Sequence, residues 1–187
     1  MFQNDFELIN RMENILITGS SGFLGQAFCK ELNSRGRYCT PAVRHINSSS
    51  PSNAVEVGDI NGSTDYSIIL NDIDTVVHIA AIAHKTKGDI SGSMIALKQV
   101  NTEGSVNLAR QAAAAGVRRF IFISSVGVNG INSSQPFTEG DTVSPHDLYS
   151  QSKLDAEVDI REIATESAME LVIIRPPLIY GLSLIHI

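Results

Sequence analysis

Tyr149 and Lys153 stand four residues apart in Tyr149-Ser-Gln-Ser-Lys153, within a stretch of helical character. That spacing sets a phenol and an amine on one face of a helix. A free phenol ionises near pH ~10 and carries protons slowly at neutral pH. An ammonium beside it stabilises the phenolate and lowers that value, which makes the pair a general acid–base device. Ser125 closes the apolar run that begins at Arg119. A hydroxyl at a strand exit can polarise the same substrate oxygen that the phenol protonates or deprotonates. Ser125, Tyr149 and Lys153 are therefore the catalytic candidates.

Short apolar runs alternate with longer amphipathic ones, and this alternation must position the three groups. Strands are predicted at Asn14 to Thr18, Tyr38 to Val43, Ala54 to Val57, Thr75 to Ala81, Arg119 to Ser124 and Glu170 to Arg175. Helices are predicted at Phe23 to Ser34, at Ser63 to Leu70 as a short one, at about Ser93 to Ala115, and at about Leu148 to Ser167 with Asp147 as its N-cap. Such alternation implies an α/β fold, a doubly wound parallel sheet with helices on both faces. In such sheets ligands bind beyond the carboxyl ends of the strands. Ser125 lies at one of those ends.

The first strand-to-helix junction carries Thr18-Gly-Ser-Ser-Gly-Phe-Leu-Gly25. Gly19 supplies a tight turn, Gly22 leaves room for a pyrophosphate against the backbone, and Gly25 lets the helix pack closely on the sheet. The helix N-terminus then offers unpaired N–H groups to the anion. Gly19, Ser21, Gly22, Phe23, Leu24 and Gly25 are the dinucleotide-binding candidates of this turn. After the second strand the sequence is Val43-Arg44-His45, with no acid to hold the 2′-hydroxyl of NAD. Arg44 suits the 2′-phosphate of NADP, so the cofactor is NAD or NADP with a tilt toward NADP. Asp59 and Ile60, after the third strand, are placed to meet the adenine amino group and ring.

The 187 residues include 14 Lys plus Arg and 20 Asp plus Glu, a net charge of −6, with 43% hydrophobic residues. That excludes wholesale disorder and argues against a general nucleic-acid binder. No run approaches the ~20 apolar residues of a membrane span, and Met1-Phe-Gln-Asn-Asp-Phe-Glu7 does not read as a secretion signal. Cys29 and Cys39 make no disulfide framework and are expected to be reduced thiols of a cytoplasmic protein. His78, inside a strand, reads as a core histidine. His45, His146 and His186 are too scattered for a metal site, and none is expected. His84 and Lys85 are expected in solvent.

Taken together, these motifs resemble the extended short-chain dehydrogenase/reductase family, in its nucleotide-sugar branch with UDP-glucose 4-epimerases and related 4-reductases. The resemblance rests on Thr18 to Gly25, His78-Ile-Ala-Ala81, Val100 to Asn107, Phe122 to Gly130, Tyr149 to Lys153 and Arg175-Pro-Pro-Leu-Ile-Tyr-Gly181. It implies a Rossmann-like domain over residues 1–181 that binds NAD or NADP. It implies catalytic roles for Ser125, Tyr149 and Lys153. It also places Ala80 and Ala81 beside the cofactor ribose and pyrophosphate, Asn101 in the helix behind the site and Pro176 near the nicotinamide. The implied reaction removes hydride from C4 of a nucleotide sugar, a UDP-sugar in the branch, and returns it to the other face. A 4-keto-sugar reductase or a non-catalytic dinucleotide-binding fragment are the alternatives. A homodimer is left open. Residues 182–187 do not continue the family pattern. The expectation is a cofactor-binding lobe with its substrate lobe largely missing, apolar surface where that lobe would dock, and little turnover on its own.

Overall fold

The computed structural model describes residues 13–83, 90–133 and 135–181. Six parallel strands form one sheet: β1 (Ile15–Thr18), β2 (Cys39–Val43), β3 (Val55–Glu56), β4 (Thr75–His78), β5 (Arg119–Ile123) and β6 (Glu170–Ile174). Their order is β3-β2-β1-β4-β5-β6. The chain winds outward from β1 to one side, then crosses back to β4 and winds to the other. The strand order reverses between β1 and β4, and a crevice opens there beyond the strand ends.

Side chains alternate across this sheet. Leu16, Val76, Phe120 and Phe122 face a large core with Leu108, Ala109, Ala112, Ala156 and Ile160. The last five come from α3 (Ser105–Ala114) and α4 (Leu148–Thr165). Ile15, Ile17 and Val77 face the other way, against Phe28 and Leu32 of α1 (Phe23–Ser34). Cys29 of α1 also packs on Cys39 of β2, and burial and this neighbour push the Cys29 thiol up to about 12, so it stays protonated. Along β6 the core side is Leu171 and Ile173, while Val172 and Ile174 remain 40% and 44% exposed.

Three elements differ from expectation. Residues 63–70 form turns rather than a helix. The backbone N–H groups of Ser63 and Ser67 donate to the side chains of Asn61 and Asp65, and the Gln111 side chain takes up Tyr66 N–H and Thr64 C=O. These local bonds outcompete an i→i+4 ladder. The single helix expected over about 93–115 is instead α2 (Ile90–Leu97), a π-helical segment over Lys98–Gly104, and α3. β4 ends at His78 rather than Ala81, because the chain leaves the sheet at the crevice. There Asn101 accepts from Ile82 N–H and donates to Ile82 C=O, both at 2.9 Å, imitating a strand partner. Asn101 sits in the π-helical segment, a distortion that recurs at functional sites. His84, Lys85 and His186 lie outside the described residues.

His78 is fully buried and serves the fold, as its strand position implied. Ser105 Oγ donates to Asn101 C=O at 2.6 Å, so its lone pair must accept from His78 Nε2 at 2.8 Å. His78 Nδ1 is then the acceptor for the Thr18 hydroxyl at 2.6 Å. Burial and the nearby Lys153 charge press His78 down to about 3, so the imidazole stays neutral and this one tautomer is fixed. The chain of bonds ties β1, β4 and the π-helical segment together directly beneath the glycine turn.

Candidate functional site

The glycine turn leaves β1 at Gly19, whose φ is +70°. A Cβ there would lie 2.6 Å from Ala80 N, so the turn presses against the chain leaving β4. At Gly25 a Cβ would collide with the Gly19 carbonyl and lie 2.7 Å from Ser20 Cα. Gly19 and Gly25 are thus demanded by packing. Gly22 is different. Its backbone is extended, φ −76° and ψ 169°, and an added Cβ would meet only the Gly19 carbonyl at 3.3 Å. As N-cap of α1 it makes no side-chain cap bond. The first N–H groups of α1 are therefore uncapped beside a bare backbone, which is the donor arrangement that suits a phosphate.

A cavity of about 1490 Å³ opens above this turn. Gly19, Ser21, Gly22, Phe23, Leu24 and Gly25 line its floor; Arg44, Asp59 and Ile60 line one end; Ala80 and Ala81 line the middle. Ser125, Tyr149 and Pro176 line the other end. The structure therefore brings every candidate but one to a single wall.

The exception is Lys153, fully buried beneath that wall. Its Nζ has no hydrogen-bond partner and sits 4.2 Å from the centroid of the Phe122 ring. A cation over an aromatic face is attracted, but that leaves its N–H groups unpaired. Burial presses the Lys153 ammonium down to about 7, against the opposing pull of Glu157. A buried donor without an acceptor is costly and rare in a finished site. The hydroxyl groups of a bound ribose are acceptors of the right kind, so the donor set fits a dinucleotide.

Tyr149 is half-buried one turn N-terminal to Lys153. Its phenol is not lowered, as the sequence spacing had suggested, but raised, first by burial and then by the Asp147 carboxylate. Asp147 caps α4, accepting from Ser150 N–H at 2.7 Å, as predicted. Ser125 caps a short 3₁₀ turn over Val126–Val128; its Oγ accepts from Gly127 N–H at 3.1 Å, which leaves its own O–H to donate.

One group escaped the sequence reading. Glu157, only 1% exposed, accepts from Ser124 Oγ at 2.5 Å and from Arg175 through Nε at 3.0 Å and Nη2 at 2.5 Å. Arg175 Nη1 also donates to Asn129 Oδ1 at 3.1 Å. One carboxylate thereby joins α4, the exit of β5 and the exit of β6, the three elements that carry Tyr149, Ser125 and Pro176. The signal was present: Tyr149, Lys153 and Glu157 continue one i, i+4 ladder. Glu157→Gln should cost about 3–5 kcal/mol, since it strands the Arg175 guanidinium in a mostly buried place. Chemical denaturation reads this directly, and a cost under about 1 kcal/mol would contradict it.

The profile of the NAD dependent epimerase/dehydratase family matches residues 15–184. The chain belongs to that family. Among its relatives is a UDP-glucose 4-epimerase from Vibrio cholerae, 44% identical over 172 residues, which covers 90% of this chain and 52% of the relative. A 3-beta-hydroxysteroid dehydrogenase from Mycolicibacterium neoaurum is 31% identical, covering 89% of this chain and 48% of the other. This epimerase/dehydratase chain thus spans about half the length of these curated relatives. A solved UDP-glucuronic acid 4-epimerase from Bacillus cereus, in complex with NAD, superposes with TM-score 0.76 at 26% identity, covering 90% of this chain and 57% of that one. The family is one of enzymes, and NAD is the cofactor in that structural neighbour. Among the described residues no helix is long and apolar enough to cross a membrane, and no group of three or more His, Cys, Asp and Glu is arranged to hold a metal ion.

Proposed function

We propose that residues 1–181 are the dinucleotide-binding half of a cytoplasmic, NAD(P)-dependent nucleotide-sugar 4-epimerase, with Ser125, Tyr149 and Lys153 as its catalytic groups. The observation that carries this reading is the orphaned, buried Lys153 amine one turn from a cavity-lining phenol, above a turn whose central glycine the fold itself leaves uncrowded. The epimerases among the relatives support the choice of reaction.

In this reading the uncapped N-terminus of α1 and the bare backbone at Gly22 would hold the phosphates. Asp59 and Ile60 would hold the adenosine, and Ala80 and Ala81 would meet the ribose and pyrophosphate. Pro176 closes the nicotinamide end. The chemistry a nicotinamide supplies here is reversible storage of the hydride from sugar C4, which leaves a 4-keto sugar open to reduction on its other face. Tyr149 takes the C4 hydroxyl proton and later gives it back. Ser125 donates its free O–H to the same oxygen. Lys153 donates to the ribose hydroxyls, and that bond favours its ammonium form. The ammonium in turn stabilises the Tyr149 phenolate, reversing the upward push of burial.

The tyrosine absorbance transition near 295 nm tests this. With NAD bound, the Tyr149 component should move to lower pH, and it should be missing in Tyr149→Phe. A transition that NAD leaves in place would contradict the assignment of Tyr149. The overall reaction is read from the anomeric protons of UDP-glucose and UDP-galactose, using the complete reading frame with NAD. Absence of interconversion for every UDP-hexose tried would overturn the epimerase reading.

A further inference from the structure

Lys153 has no hydrogen-bond partner, although a buried carboxylate lies one helical turn away. Glu157 follows it at i+4 on the same face of α4, where side chains are neighbours. An amine and a carboxylate so placed would ordinarily join. Here the carboxylate is already filled. Arg175 Nε donates to Glu157 Oε1 at 3.0 Å and Nη2 to Oε2 at 2.5 Å, and Ser124 Oγ donates to Oε1 at 2.5 Å. Backbone bonds hold these donors in place. Ser124 N–H donates to Ile174 C=O at 2.7 Å and Val126 N–H to Pro176 C=O at 3.0 Å, zipping the exits of β5 and β6 on either side of Arg175. The remaining Arg175 nitrogen, Nη1, donates to Asn129 Oδ1 at 3.1 Å. Lys153 is otherwise faced by Tyr149 on its own helix, by the neutral His78 of β4 and by the Phe122 ring of β5. Arg161, 59% exposed, reaches Glu157 only at 4.0 Å. A buried ion pair adds little stability over apolar packing, so its place beside an unpartnered amine asks for another reason.

We propose that Glu157 and Arg175 are positioning residues for the Lys153 amine: Glu157 favours its ammonium form, and Arg175 keeps the carboxylate from bonding it. The N–H groups of Lys153 are thereby left for a ligand. The balance has two sides. Without Glu157, Arg175 and Lys153 would be two cations in a mostly buried place, and the amine would give up its proton first. Without Arg175, Glu157 would take Lys153 as its own partner and draw the N–H groups away from the cavity. With both present, the amine feels the field of the carboxylate and stays free of it. The proposal deepens the dinucleotide reading above, in which a charged Lys153 stabilises the Tyr149 phenolate, and it rests on that reading for its purpose. The charge balance itself needs no cofactor.

Carbon-13 NMR of the Lys153 side chain, assigned by its loss in Lys153→Met, reads the balance in the free chain. The wild-type titration midpoint is expected near 7. Glu157→Gln should lower it by about one pH unit or more, and Arg175→Gln should raise it by about as much. A purely structural pair would behave differently: losing either member would loosen the same packing and move both midpoints up, toward that of an exposed lysine. Glu157→Met combined with Arg175→Met strands neither charge, so it keeps the test open where a single variant unfolds. Its midpoint should lie below the wild type's, because the carboxylate nearer the amine is gone. A midpoint that stays or rises in Glu157→Gln or in the double variant, or one that stays or falls in Arg175→Gln, would overturn the proposal. NAD that leaves the wild-type midpoint in place would instead overturn the dinucleotide reading and leave the charge balance standing.

Discussion

Gly22→Ala is expected to leave the fold intact and to remove most of the affinity for NAD. The two halves of that result have separate causes. The Gly22 backbone is already extended, and its added Cβ would approach only the Gly19 carbonyl, at 3.3 Å. That neighbour can yield by a few tenths of an ångström, so the stability cost should stay below about 1 kcal/mol. The same methyl group would stand where a pyrophosphate must come close to the backbone, and a loss of about 30-fold or more in NAD affinity is expected. Gly25→Ala should behave in the opposite order. Its Cβ would collide with backbone at Gly19 and Ser20, which cannot move without shifting α1 off the sheet. A cost of about 3 kcal/mol or more is expected there. Thermal melts and NAD titration on both variants check the pair. If Gly22→Ala bound NAD as the wild type does, the turn would be a structural feature only.

Lys153→Met should make the chain more stable while removing the amine that the chemistry needs. Burial has pressed Lys153 from 10.5 to about 7 without any hydrogen-bond partner to compensate. Replacing a buried, poorly paired charge by an apolar side chain of similar length gains about 1–4 kcal/mol. At this chain length each kcal/mol raises Tm by about 2–4 °C. The gain depends on pH in a definite direction. Between about pH 7 and 10.5 the unfolded chain holds the Lys153 proton and the folded chain does not. Wild-type stability from this group therefore rises with pH through that window, by at most about 1.4 kcal/mol per unit. Below pH 7 both states hold the proton and the slope vanishes. The difference between Lys153→Met and the wild type should thus be largest at and below neutrality and shrink as the pH approaches 10.5. A variant less stable than the wild type at pH 7 would contradict the account of Lys153 as an unsatisfied buried amine.

The parts of the fold that were legible in the sequence are those governed by local pattern. Ile15 to Thr18 is an unbroken apolar or β-branched run, as is Thr75 to Val77 before His78, and both became strands buried on two faces. Gly19 and Gly25 sit where a strand must turn into a closely packed helix, and no other residue type fits. Tyr149 and Asp147 were readable because helix period and cap chemistry are short-range. What escaped depends on partners distant in sequence. The π-helical segment carries Asn101, which bonds to Ile82 and Ser152, and neither partner is visible from the neighbours of Asn101. The turns over 63–70 are held by Asn107 and Gln111, more than forty residues away. Glu157 looked like one more solvated helix acid until Ser124 and Arg175 closed on it from two strand exits. Arg44 was read without Asp59 for the same reason: the ion pair between them joins two different strand ends.

Proton uptake on NAD binding tests the central claim most directly, because it joins the glycine turn to the helix that carries Tyr149 and Lys153. At pH 8 the Lys153 amine of the free chain is mostly neutral. A ribose that accepts its N–H groups should draw a proton from solution. On a Tyr149→Phe background, which removes the phenol proton that the same event would release, calorimetry in two buffers of different ionisation enthalpy should therefore give an uptake approaching one proton per NAD with Lys153 in place and close to zero with Lys153→Met. Equal uptake by the two proteins, or tight NAD binding with none, would mean that the dinucleotide does not reach Lys153.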